Sequence, residues 1–148
     1  MTTAGDTARV AIVTGAGRRR GIGRAIALRL AHDGFAVVVH ERTADPATRF
    51  PQELADGWRG AASVVEEIEA AGGRGRAVSG DVTDRSTAGD LAEAAASLGD
   101  LAALVNNAGT PGEANAHVAH ETPDDLWDET IRINILDHYP MARCCAPR

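Results

Sequence analysis

Lysine is absent. All 15 of the Lys-or-Arg positions in this 148-residue chain are arginine. No side chain is a titratable ammonium, and a Walker-type phosphate loop, which needs Gly-Lys-Ser/Thr, is excluded. Net positive charge is lacking too: the balance is −6, which gives no electrostatic case for nucleic acid. Cysteine is scarce. Cys144 and Cys145 are adjacent, which argues against a structural disulfide between them and offers no metal-ligand spacing. Long apolar runs are missing as well. No stretch approaches membrane-spanning length, and MTTAGDTARV lacks the apolar core of a signal peptide. These absences point to a cytoplasmic protein without metal, membrane or nucleic-acid partners. With no internal repeat or low-complexity segment, residues 1–148 read as a single domain.

What is present begins with VAIVTGAGRRRGIG, residues 10–23. The run Val10–Val13 reads as a buried strand, the glycines after it as a tight turn, and a helix opens at about Gly21. Ile22, Ala25, Ile26, Arg29 and Leu30 form its apolar stripe, which stops at Asp33-Gly34. Strand, glycine turn and helix together make a dinucleotide-binding start: the backbone can approach a pyrophosphate, and the helix N-terminus offers free N–H groups. The generic G-x-G-x-x-G spacing is not met, because Arg20 stands where the third Gly belongs.

Further along, Phe35–Val39 is a second short apolar run. The polar stretch Thr43–Trp58, with Pro46 and Pro51, is long for a strand-to-helix connection. It reads either as an irregular surface excursion or as a flap near the adenine end of a cofactor. Ala61, Val64, Val65 and Ile68 give a helix face closed by Gly72-Gly73. A third strand around Ala77-Val78 leads to Asp81-Val82, and an Ala- and Leu-rich helix follows from about Asp84. Leu101–Val105 is the fourth strand and runs into Asn106-Asn107-Ala108-Gly109. After a polar loop, Thr110–Glu121, the segment Thr122-Pro123-Asp124-Asp125 starts a last helix with a hydroxyl N-cap. Trp127, Ile131, Ile135 and Tyr139 recur along it at helical spacing. Alternating strands and helices predict an α/β fold: a Rossmann-like doubly wound parallel sheet.

The unusual residue clusters fall at the carboxyl ends of the strands, where such sheets bind ligands. The candidate cofactor-binding residues are Gly15, Arg18, Arg19, Arg20, Gly21, Ile22, Gly23, Glu41, Arg42, Asp81, Val82, Asn107, Ala108 and Gly109. Glu41 can accept hydrogen bonds from the ribose hydroxyls of NAD, and Arg42 can pair with the 2′-phosphate of NADP. Four arginines could surround that phosphate while Glu41 turns away, so the expectation is NADP(H) over NAD(H). The loop arginines read equally as a solvated charge cluster, and Asp81 reads either as an adenine partner or as a residue that orders its own turn.

Thr14-Gly15 with Gly21-Ile22-Gly23, then Asp81-Val82, then Asn106–Gly109, come in an order that resembles the short-chain dehydrogenase/reductase family. WDETIRIN, Trp127–Asn134, is similar to the family's corresponding helix. The resemblance runs from Val10 to about Pro147 and departs in the glycine turn, where two extra residues bulge outward through Arg18–Arg20. It implies hydride transfer between a nicotinamide and a carbonyl or secondary alcohol, 3-oxoacyl reductase-like, on a small-molecule substrate. It also implies a homo-oligomer for the complete protein and a catalytic water-relay role for Asn134; from the residues alone, Asn134 reads equally as an Asn turned to solvent.

The family's Ser and Tyr-x-x-x-Lys have no counterpart here. Tyr139-Pro140-Met141-Ala142-Arg143 is no substitute, because Arg cannot titrate as Lys does. The expectation is a cofactor-binding part, truncated after the fourth strand and following helix, that leaves an apolar sheet edge and aggregates or folds partially when expressed alone. The alternatives are a dinucleotide-binding module without turnover, or a fragment that partners a complete subunit.

Overall fold

The computed structural model describes residues 7–110 and 118–145. The N-terminal segment 1–6, most of the loop between 110 and 121, and Pro147 lie outside the described residues. Four parallel strands form one sheet in the order β3-β2-β1-β4. They are β1 (Arg9–Val13), β2 (Ala36–Glu41), β3 (Gly75–Ser79) and β4 (Asp100–Val105). The helices are α1 (Ile22–His32), α2 (Pro51–Ala55), α3 (Ala61–Ala70), α4 (Arg85–Ala96), α5 (Asp124–Ile131) and α6 (His138–Cys145).

The two central strands explain the doubly wound arrangement. Every residue of β2 is buried, as are Val10–Val13 of β1. Alternate side chains go to opposite faces. Val10, Ile12, Ala36 and Val38 pack with Leu91 and Ala95 of α4 and Met141 of α6. Val13, Val37 and Val39 pack with Ala27 of α1 and Val64 and Ile68 of α3. Strands β3 and β4 are the edges and are only partly covered. Asp84 caps α4, its carboxylate accepting from the Ser86 N–H at 2.9 Å.

Three expectations are corrected. In α1 the buried residues are Gly23 and Ala27, and Ile22 is 76% exposed. Small residues bring this helix close to the turn, so the bulkier Ile26 and Leu30 flank the contact instead of centring it. The last helix does not start on a Thr122 cap. Its N-cap is Pro123, and the Thr122 hydroxyl donates to the Val118 carbonyl. Nor is that helix continuous. A π turn, Arg132–Leu136, separates α5 from α6, and the Asp137 N–H reaches back to the Arg132 carbonyl at 2.9 Å. Pro140 supplies the reason, since it has no N–H for a regular bond to residue 136. The Trp127, Ile135 and Tyr139 stripe faces outward, and Asp137 and Met141 form the buried side.

Candidate functional site

At the carboxyl end of β1, Thr14 knots two strands together. Its hydroxyl donates to the Val105 carbonyl at 3.3 Å and accepts from the N–H groups of Asn107 and Ala108, both at 3.0 Å. The Asn107 amide returns the contact by donating to the Thr14 carbonyl at 2.8 Å and the Gly15 carbonyl at 3.1 Å. Gly15 follows with φ +66°, a conformation that favours glycine, and a Cβ there would meet the Ala108 backbone. Gly23 has a different necessity: a Cβ on it would collide with the Asn107 amide and the Ala16 backbone. The two extra residues of the turn are taken up between Arg18 and Gly21, whose N–H donates to the Arg18 carbonyl at 3.2 Å. Arg19 and Arg20 are exposed there.

His40, the next-to-last residue of β2, is 1% exposed. Its Nδ1 accepts from the Gly15 N–H at 3.2 Å, and its Nε2 donates to the Gly80 carbonyl at 2.8 Å. One donor and one acceptor describe a neutral ring. Burial pushes the imidazole below its ordinary value, against smaller opposing effects of the Gly80 carbonyl, Glu41 and Asp81.

Glu41 does not turn away. Its side chain is 7% exposed and its Oε2 lies 2.5 Å from Nη1 of Arg49, itself 5% exposed. Arg49 comes from the excursion after β2, which is ordered. The excursion carries a 3-10 turn at Pro46–Thr48 and the short helix α2. Glu53 of α2 accepts from the Arg19 N–H at 2.9 Å, the Phe50 N–H at 3.2 Å and the Arg18 guanidinium at 3.0 Å. Burial pushes the Glu53 carboxyl up, but those backbone donors and Arg18 outweigh it and hold it below the usual range. Trp58 Nε1 donates to the Gly17 carbonyl at 2.7 Å. Arg18 stacks over Phe50, and Arg19 pairs with Asp56. The excursion therefore grips the glycine turn.

Asp81 is exposed and orders its own turn, accepting from the Thr83 N–H at 2.9 Å. Asn134 lies in the π turn. Its Oδ1 accepts from the Thr110 N–H at 3.1 Å and its Nδ2 donates to the Thr110 hydroxyl at 3.2 Å, which ties the last helix to the segment after β4.

One cleft of about 420 Å³ collects Gly15, Arg18, Glu41, Arg42, Asp81, Val82, Asn107, Ala108 and Gly109. Gly21, Ile22 and Gly23 are outside its wall, at the adjoining start of α1, and Arg19, Arg20 and Asn134 do not line it either. A family profile described as short chain dehydrogenase matches residues 9–148. The chain belongs to the short-chain dehydrogenase family. It is 37% identical over 142 residues to the hydroxyacyl-CoA dehydrogenase ChsB1 of Mycobacterium tuberculosis, covering 93% of this chain and 39% of that protein. Its fold matches a putative short-chain alcohol dehydrogenase from Sinorhizobium meliloti 1021 with TM-score 0.73 and 34% identity, over 93% of this chain and 47% of the other. A metagenomic short-chain oxidoreductase in complex with NADP matches with TM-score 0.70 and 31% identity, over 92% and 54%. The chain spans less than half the length of the curated relatives it matches.

Two features of the cleft and its surroundings fit a nicotinamide dinucleotide. The N-cap of α1 is Gly21, with no side-chain cap and no acid in the first turn, so its first N–H groups are free for an anion. Gly15 and Gly109 leave the main chain bare along the cleft. Sequence reasoning missed His40, Arg49, Glu53 and Trp58. His40 was legible only as the polar end of an apolar run. The other three are scattered through a polar stretch without periodicity.

Proposed function

We propose that this chain is the cofactor-binding part of an NAD(P)-dependent oxidoreductase that acts on a carbonyl or secondary alcohol, 3-oxoacyl reductase-like, with NADP(H) preferred. The observation that carries the reading is the cleft in which the ends of β1, β2 and β4 converge with Asp81 and Val82. The hydroxyacyl-CoA and NADP-bound relatives support the substrate class and the cofactor. When bound, the dinucleotide supplies the hydride donor or acceptor at its nicotinamide ring.

The residues do the holding. The start of α1 and Gly15 take the pyrophosphate, Arg18 and Arg42 face the 2′-phosphate, and Asp81 and Val82 flank the adenine. Asn107, Ala108 and Gly109 form the wall along which the remainder lies. Arg19 and Arg20 add positive potential at the turn. Asn134 is assigned its relay role from the family. The exposed Trp127, Ile135 and Tyr139 support a homo-oligomer for the complete protein. A second reading is dinucleotide binding by this chain without turnover.

Titration of the chain with NADPH, followed by nicotinamide fluorescence, tests the reading. Saturable enhancement is expected, with NADP(H) bound more tightly than NAD(H). No binding at millimolar cofactor would sink it. Binding without consumption of a 3-oxoacyl thioester would select the second reading.

A further inference from the structure

We propose that Arg49 sets the cofactor preference of this cleft by cancelling the charge of Glu41, so that a 2′-phosphate can sit beside a carboxylate that would otherwise repel it. The inference rests on the dinucleotide reading above and adds a residue outside the strand ends.

Glu41 is the last residue of β2 and lines the cleft, as does Arg49. A bare carboxylate at this place accepts from two ribose hydroxyls and repels a phosphate. This carboxylate is not bare. Arg49 meets Oε2 at 2.5 Å, and the two side chains are 5% and 7% exposed. The second guanidinium arm donates to the Arg59 carbonyl at 3.4 Å, so Arg49 is held from behind. Gly17 and Gly60 leave the space the pair occupies, since a Cβ on either would run into Glu41 Oε2. Little freedom remains for Glu41 to swing out of the cleft.

The charges along this wall then sort themselves. Arg18 is paired with Glu53, Arg19 with Asp56, and Arg49 with Glu41. Arg42 makes no ion pair with a described residue and is the exposed positive charge of the cleft wall. With Glu41 neutralised, Arg42 faces a 2′-phosphate unopposed. Without Arg49, the buried carboxylate opposes it at short range in a medium of low dielectric. Arg49 is thus a positioning and charge-compensating residue that acts through Glu41.

The experiment is calorimetric titration with NADP+ and with NAD+ of the wild-type chain and of Arg49→Met, Arg49→Lys, Glu41→Gln and the Arg49→Met/Glu41→Gln double variant. For Arg49→Met the expected loss is about tenfold or more for NADP+, with NAD+ held within about threefold. Arg49→Lys keeps the wild-type ratio of the two affinities. The double variant binds NADP+ within about threefold of the wild type, because the two charges that cancel are removed together. Equal losses for both cofactors, or no loss, would overturn the inference, since a purely structural role moves both together. If Arg49→Met does not fold, the double variant decides against the wild type: a selective loss of NADP+ by about tenfold or more with both charges removed would mean that Arg49 binds the phosphate directly, and the inference fails. A wild-type chain that binds neither dinucleotide overturns the reading beneath it instead, and the inference goes with it.

Discussion

At the scale of single residues, Thr14 concentrates more of the site than its size suggests. The residue is 1% exposed and its hydroxyl is fully used, with one bond donated and two accepted. Valine has almost the same shape and none of those bonds. Thr14→Val leaves the partly buried N–H groups of Asn107 and Ala108 without that acceptor, and each such loss costs about 1–3 kcal/mol. The expected destabilisation is about 2 kcal/mol or more, read as a lower urea midpoint with an unchanged slope. Thr14→Ser keeps the hydroxyl and gives up only a methyl group, so it should lose markedly less. Equal effects of the two substitutions would show that packing rather than hydrogen bonding governs the position. Arg49 and Glu41 teach the same lesson in charge: the chemistry offered to a ligand depends on what a side chain already holds.

At the scale of elements, the excursion 43–58 behaves as a brace. Glu53 takes three donors from two neighbouring segments, and Trp58 reaches the Gly17 carbonyl. Glu53→Ala should cost about 2 kcal/mol, because hydrogen bonds to a charged acceptor are among the stronger ones. It should also speed amide exchange across residues 17–21 and weaken NADP+ and NAD+ alike, unlike Arg49→Met. Unchanged exchange in the turn would separate the excursion from it. This element also marks the limit of the sequence. The strands were legible because Val10–Val13 and Phe35–Val39 are continuous apolar runs, and a sheet covered on both faces needs them. The start of α4 was legible at about Asp84, the residue whose carboxylate caps it. Glu53 with Arg18, or Arg49 with Glu41, was not, since charge pairs between segments leave no period to read. The face of α1 was misread for a related reason: periodicity marks bulky apolar residues, and here close approach selected Gly23 and Ala27. In the site, the motif residues 14–15 and 107–109 were legible as a set, whereas the bracing that holds them was not.

At the scale of the whole molecule, the order β3-β2-β1-β4 makes the strand order reverse beside β1, and Thr14-Gly15 meets Asn107-Ala108 there. The other side of the sheet's carboxyl end is joined by His40, which bonds to Gly15 after β1 and to Gly80 after β3. That link requires a neutral ring, because a protonated Nδ1 cannot accept from the Gly15 N–H. The folded imidazole is held below its ordinary value of about 6.5, which the unfolded chain regains. Above that pH both states are neutral and the His40 contribution is constant. Below it the unfolded chain takes up a proton that the folded chain refuses, so stability falls as pH falls, by up to about 1.4 kcal/mol per pH unit. The charges of Glu41 and Asp81 moderate the shift without reversing it. Asp137 works in the opposite sense: burial raises its carboxyl, so its protonation on acidification favours the folded state. Urea unfolding of the chain without cofactor, between pH 7.5 and about 5, should therefore show a decline that begins near pH 6.5 and is flattened in His40→Gln. The difference between the two profiles removes Asp137 and the other carboxylates, which are common to both chains. Parallel profiles would mean that His40 titrates alike in the folded and unfolded chains, and that the bond from Gly15 is not what holds the turn to β2.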